Sequence, residues 1–360
     1  MLIVLRFFIA LILVVLTLQF GCKGPTEPEV NSPRNYKWSA DTLSISNGQI
    51  LMDGVWGTSA SNLYAVGHSA GSEGTMWRFD GNKWTNVKLG LFEGGLIPAP
   101  FDLAAIHGLS ADNIFAVGTH SPFLPGTSFI IHFDGTKWTE QQAPPDSYLL
   151  RAVWMNASND VWACGYNGTL LHYDGVLWKK DSVVVATPPG STLQLSSIVQ
   201  IPSGEMFMLG AAYETIPPQM FLRWTYYFFR RENNLWTLRD TFVRNDGERE
   251  GRWGGYRLAV LPAGTVYSVG SYGMFQWNGT QWIKRYSHIN NTAAVFGSDD
   301  NNLFVAGSFG LVAHYNGSDW FEYSELVSQN THYAGGWADE TQAFVFGWVA
   351  GEKTVVLRGR

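Results

Sequence analysis

Few side chains in this 360-residue chain are spaced for chemistry. Three of the eight histidines, His132, His172 and His314, each sit just ahead of an Asp-Gly or Asn-Gly pair in similar stretches. Equivalent positions in separate copies of a unit stand apart in space, so no shared metal is expected. His107 replaces a Trp or Phe found in the related stretches and is the histidine singled out for a functional role. Glu93, Glu214, Asp246 and Glu248 lie in irregular segments and would be the acid and base of a glycoside hydrolase or lyase. There is no HExxH, phosphate-binding loop or GxSxG motif, so no catalytic set, metal or cofactor is implied. Cys164, in the apolar string VWACG, occupies a slot filled elsewhere by Val, Leu, Ala or Phe, and is expected to be core filler.

The elements that would position these residues come from a repeat. A glycine closes an AVG-like string at Gly67, Gly118, Gly165, Gly210, Gly270, Gly307 and Gly347, at intervals of roughly 40 to 60 residues. Trp56, His107, Trp154 and Phe296 each stand eleven residues ahead of their glycine, so the turn between has constant length. Its Ser, Asp and Asn residues favour tight turns by bonding their own backbone. Next comes a third strand and a hairpin, as in MWRFDGNKW, IIHFDGTKW and VAHYNGSDW, with Trp three residues past the glycine. Asp-Gly and Asn-Gly predict a two-residue turn with both residues at positive φ; the fourth copy has Asn233 in place of the glycine. Each unit is therefore four antiparallel strands, a to d.

Seven such units predict an all-β fold, a seven-bladed β-propeller of four-stranded antiparallel blades over residues 35–360. The seventh unit lacks its strand d, and NYKWSADTL near the N-terminus has the matching Asn-x-x-Trp spacing, Asn35 to Trp38. That segment is expected to pair with Thr354–Leu357 and close the ring, which removes an open strand edge. The pattern WGxSxxxVWAVG followed by HYDGxxW resembles the repeat of bacterial exported β-propellers, many carrying lipoprotein signals. The resemblance covers residues 35–360 and speaks for fold, not activity. Asp and Gly are adjacent here, unlike in a sialidase-type Asp box, and the kelch double glycine is absent from strand b.

Strand direction alternates, so the a–b and c–d turns share one face and the b–c and d–a connections share the other. The first face is uniform, although RWTYYFFRRENN is expected to lengthen the fourth c–d hairpin there. The second face holds the insertions and many aromatics, which makes it the expected ligand face. Its candidate ligand-binding residues are Trp253, Tyr256, Arg252, Tyr166, Tyr272, Phe309 and Trp348, with His107 in the channel. Phe92, Phe101, Phe123 and Tyr213 also lie on its insertions. Arg244 to Arg257 is the most charged segment and a candidate ligand loop.

The N-terminus is different material. Arg6 precedes an apolar run that ends in Gly21 and Cys22, the layout of a secretory signal peptide over residues 1–21. The Cys after a small residue resembles a bacterial lipoprotein signal, which implies acylation of Cys22, a flexible tether over residues 22–34 and attachment to the cell envelope. An uncleaved anchor and an ordinary signal with a chance cysteine are the other readings. A net charge of −6 gives no support for nucleic-acid binding. The expected protein is a monomeric, lipid-anchored extracytoplasmic propeller that binds a glycan or a protein segment, with a carbohydrate-active enzyme as the alternative.

Overall fold

A computed structural model describes residues 32–46, 48–69, 73–98, 100–120, 126–218, 220–245, 247–350 and 353–360. The signal segment, Cys22, most of the tether, Phe123 and Asp246 lie outside the described residues. Seven four-stranded antiparallel sheets form the blades of a β-propeller. Blade 1 consists of strand a (Ile50–Ser59), b (Asn62–Ser69), c (Met76–Phe79) and d (Trp84–Asn86). In blades 2 to 6 strand a is Asp102–Ser110, Leu150–Ala157, Gln194–Gln200, Arg257–Val260 and Thr292–Asp299. Blade 7 takes strands a to c from Thr331–Ala338, Ala343–Val349 and Thr354–Gly359. Its strand d is Trp38–Leu43, paired from Trp38↔Gly359 to Leu43↔Thr354. The ring is closed as expected. Pro33 and Arg34, assigned to the tether from sequence, are held too: Tyr323 donates to the Pro33 carbonyl at 2.8 Å and Arg34 pairs with Asp319 at 2.8 Å.

Burial follows a period of two with both faces apolar, as sheets covered on both sides require. In strand b of blade 2 (Asn113–Thr119), Ile114 and Ala116 pack toward blade 1, whereas Phe115 and Val117 pack toward blade 3. The core is accordingly a set of seven clusters, each between adjacent blades. Cys164 is buried between blades 3 and 4, and burial pushes its thiol pKa far up. The tryptophan of strand d latches each blade to its predecessor. Trp84 meets Phe346, Trp138 meets Tyr64, Trp178 meets Phe115, and Trp236 meets Trp162. Trp282–Phe228, Trp320–Tyr286 and Trp38–Tyr323 complete the circle, all seven at centroid distances of 4.5–6.2 Å.

Two details depart from the sequence reading. In the Asp-Gly and Asn-Gly hairpins only the glycine has positive φ, for example 97° at Gly81 and 90° at Gly135. The Asp works through its side chain instead: Asp80 Oδ1 accepts the N–H groups of Asn82 and Lys83, both at 2.9 Å. Blade 4 alone has the predicted two-residue turn, with Asn233 at 50° and Asn234 at 63°. Blade 4 is also longer, with strands b, c and d at Met206–Ile216, Phe221–Glu232 and Leu235–Asn245. The extra length lies at the b–c end, with Glu214 opposite Arg223 and Arg223 opposite Asn245. RWTYYFFRRENN therefore raises blade 4 above the variable face, because the Asn-Asn turn keeps the other end tight.

Candidate functional site at the channel mouth

The repeated glycine has a steric origin that also builds the site. A Cβ at Gly67 would lie 1.9 Å from the Leu51 carbonyl oxygen, and one at Gly118 equally close to that of Asp102. Strand a presses on strand b there, and immediately afterwards its register slips by one residue. Six blades carry this bulge, which leaves Asp53, Ala104, Arg151, Ser196, Ala293 and Ala334 without a partner on strand b. Bulges re-aim side chains, and these residues line the central channel and its mouth on the variable face. Blade 5 contributes Arg257 near the same level.

The mouth is a cavity of about 400 Å³. Its walls carry Tyr166, Trp224, Tyr226, Tyr256, Trp348 and His332, and polar groups come from Gln194, Ser196 and Asn291. Arg151 and Arg257 line both this cavity and the channel of about 660 Å³ beneath it, and so separate the two. Arg151 of blade 3 donates to the Tyr256 hydroxyl at 2.7 Å. Arg257 of blade 5 reaches across to the carbonyls of Ala334 at 2.7 Å and Asp53 at 3.3 Å, on blades 7 and 1. Burial works against the Arg151 charge, but the Tyr256 and Tyr166 hydroxyls and Asp53 outweigh it and raise its pKa.

A second depression of about 490 Å³ shares Asp53 and Arg151 with the mouth and adds His68 and Asp102. His68 Nδ1 lies 3.5 Å from Asp53 Oδ2, and this contact raises the His68 pKa. Burial works to raise the Asp53 carboxyl, yet the His68 hydrogen bond and the nearby arginine charges hold it below its usual range. Asp102 goes the other way: burial raises it, only partly offset by the Ser69 N–H at 3.2 Å.

Of the residues nominated from sequence, Tyr166, Tyr256 and Trp348 meet at the mouth. Tyr272 is buried behind it, its hydroxyl 3.2 Å from that of Tyr226. His107 lies in the channel wall, stacked on Trp154 at 4.1 Å, with Nδ1 accepting the Met155 N–H. Phe309 is about half exposed on its b–c loop and lies outside the mouth cavity. Trp253 is fully buried between blades 4 and 5, edge-on to Phe242, and offers no surface to a ligand. Arg252 sits on the outer edge of blade 4, paired with Asp240 at 2.6 Å and donating to the Thr241 carbonyl. Arg244 caps the neighbouring Val243 carbonyl. From Arg244 to Arg252 the charged segment thus covers a long edge strand, and only its end, through Tyr256 and Arg257, reaches the mouth.

The nominated carboxylates are engaged locally: Glu93 by Gly74 and Asn86, Glu214 by Arg223, and Glu248 by Asn245. The three histidines brace strand c to the first residue of strand b, through His132–Asn113, His172–Asp160 and His314–Asn302 at 2.8–3.0 Å. What sequence reasoning missed is the bulge set with Arg257, Trp224, Tyr226 and His332. A signal existed for the charged members, since Asp53, Arg151 and Arg257 interrupt otherwise apolar strings in LMDGVW, LLRAVW and YRLAVL.

No family model matches the chain. The immune protein Tsi7 of Pseudomonas aeruginosa PAO1 is 29% identical over 115 residues, which is 32% of this chain and 35% of Tsi7. The match thus spans about a third of that relative. Among solved structures, YCF48 bound to D1 peptide superposes with a TM-score of 0.58 at 15% identity, over 89% of this chain and 96% of that one. YCF48 from Cyanidioschyzon merolae gives 0.56 at 12% identity, over 89% and 98%. At such identities the likeness is one of architecture: the chain is a seven-bladed β-propeller with a fold resembling that of YCF48.

Proposed function

We propose that the protein is a binding module that takes a protein segment at the channel mouth, tethered to the cell envelope through an acylated Cys22. The observation that carries the reading is the mouth itself, where side chains from six of the seven blades converge on one aromatic-walled cavity with a polar floor. The D1 peptide held by YCF48 supports a protein ligand over a glycan. Three of its wall residues were nominated from the repeat pattern alone. The test is capture of peptides from an arrayed octapeptide library by the full chain in mild detergent. Tyr166→Ala with Trp348→Ala is expected to abolish capture while the far-ultraviolet circular dichroism stays unchanged. Capture that survives the double change places the site elsewhere. For the anchor, mass spectrometry of the mature N-terminus is expected to find a diacylglyceryl group on Cys22, and an unmodified cysteine removes that part of the reading.

One observation favours a second reading, a carbohydrate-active hydrolase. Asp53 and Asp102 share one depression, and their surroundings push their pKa values apart, the pattern of a base beside an acid. Under that reading Asp102→Asn eliminates release of reducing ends from a polysaccharide panel. The absence of turnover in the unaltered chain across the panel removes it.

A further inference from the structure

We propose that the floor of the mouth is a carboxylate-binding site: Arg151 and Arg257 together hold a carboxylate of the incoming protein segment, and the aromatic walls hold the residue beside it. The inference rests on the mouth being the ligand site.

A guanidinium has five N–H donors in a rigid fork. Arg151 spends one nitrogen on the Tyr256 hydroxyl, and Arg257 spends one on two backbone carbonyls. Among the described residues neither guanidinium has a carboxylate within the 4.0 Å of an ion pair. Of the two acids nearby, Asp53 tempers both cations from beyond ion-pair distance while its carboxylate contacts His68, and Asp102 takes the Ser69 amide. Two cations thus stand at the inner end of a half-open cavity with donors to spare, and one of them is itself held in place by a wall residue, Tyr256. A planar carboxylate is the group that such forks grip with two parallel bonds, and these bonds strengthen away from bulk water. The Trp224, Tyr226 and Trp348 rings give a neighbouring apolar or aromatic side chain a stacking surface. An amide or hydroxyl in the same place would leave two cations answered only by the more distant Asp53, so an uncharged segment is discriminated against.

A carboxylate can come from the segment's C-terminus or from Asp and Glu side chains, and the experiment separates the two. The library is made twice, with free C-termini and as C-terminal amides, each acetylated at the other end. For the peptides captured, Arg151→Met or Arg257→Met is expected to lower affinity about 10- to 100-fold, the range of a lost charge-assisted bond. Arg257→Lys, which keeps the charge but not the fork, should recover only part of it. Arg252→Ala, on the outer edge, should change nothing. Loss on amidation identifies a C-terminal carboxylate. Retention on amidation together with loss on Glu→Gln or Asp→Asn within the peptide identifies a side chain. Capture of amidated peptides lacking acidic residues, unaffected by Arg257→Met, overturns the carboxylate site while leaving the mouth standing. No capture of any peptide, or capture that ignores Tyr166→Ala with Trp348→Ala, overturns the mouth reading and the inference with it.

Discussion

At the scale of single residues, the histidines show how one side chain serves different ends according to its surroundings. His107 lies in the channel wall, where burial pushes its pKa from 6.5 down to about 4, and its unprotonated Nδ1 accepts a backbone N–H from the next blade. His314 is likewise pushed down to about 4 by burial in the core. Both stay neutral in the folded protein while the unfolded chain takes up protons below pH 6.5. Their contribution to stability is therefore full above about pH 6.5 and is lost as pH falls toward about 4. His68 has the opposite sign, since its pKa is raised by Asp53: its contribution is full below the unfolded value and is lost as pH rises through the folded one. The expected net result is a melting temperature that falls between pH 6.5 and 4, with a shallower fall in His107→Phe, which keeps the stack on Trp154 but cannot titrate. An unchanged slope in that variant would mean that His107 does not titrate in this window. Nothing in the sequence distinguished His107 from a ligand group, because a replaced aromatic reads the same whether it packs or reacts.

At the scale of elements, what was legible is what packing repeats. The strand pairs, the hairpin tryptophans and the closing segment all show in the spacing of large apolar residues, because every blade must fill the same gap against its neighbour. The bulge residues escaped notice for the complementary reason. Asp53, Ala104, Arg151, Ser196, Ala293 and Ala334 face the channel, where no neighbour dictates a residue type, so they share no residue type to count and only the charged ones stand out, as interruptions of apolar strings. Trp253 and Arg252 were misplaced by the company they keep. A glycine-rich charged segment reads as an exposed loop, yet Trp253 fills the joint between blades 4 and 5, and Arg244 and Arg252 cover the longest outer strand. An uncovered edge strand invites pairing with another chain. Replacing Arg244 and Arg252 together with alanine is expected to promote self-association, seen as a rising weight-average mass in sedimentation velocity. A monodisperse double variant at high concentration would show that the edge needs no such cover.

For the propeller as a whole, stability rests on a circle of equivalent contacts, and one of them is made by the strand that closes the ring. Trp38 meets Tyr323 edge-on at 5.1 Å, within the range of the other six latches. It differs in its consequence. Each of the other six tryptophans sits on a strand tied by a short hairpin to the strand it pairs with, so its loss loosens a joint but leaves the sheet whole. Strand d of blade 7 has no such hairpin, because Trp38 pairs with Gly359 across nearly the full sequence. Pairing, the latch, the stack of Tyr36 on Phe304, the buried Leu43 and the contacts of Pro33 and Arg34 with blade 6 hold it in place of a hairpin. Removing a tryptophan from a core costs up to about 3–5 kcal/mol. Trp38→Ala and Trp138→Ala are therefore expected to lower the melting temperature by similar amounts but to fail differently. In Trp138→Ala the amides of Thr354–Gly359 stay protected from hydrogen exchange until the whole ring unfolds. In Trp38→Ala they exchange early, by detachment of Trp38–Leu43, and the bared edge of blade 7 makes the protein self-associate at lower temperature than it melts. Equal protection of Thr354–Gly359 in the two variants would show that the closing strand is held without the Trp38 latch and that the seventh latch does no more than the other six.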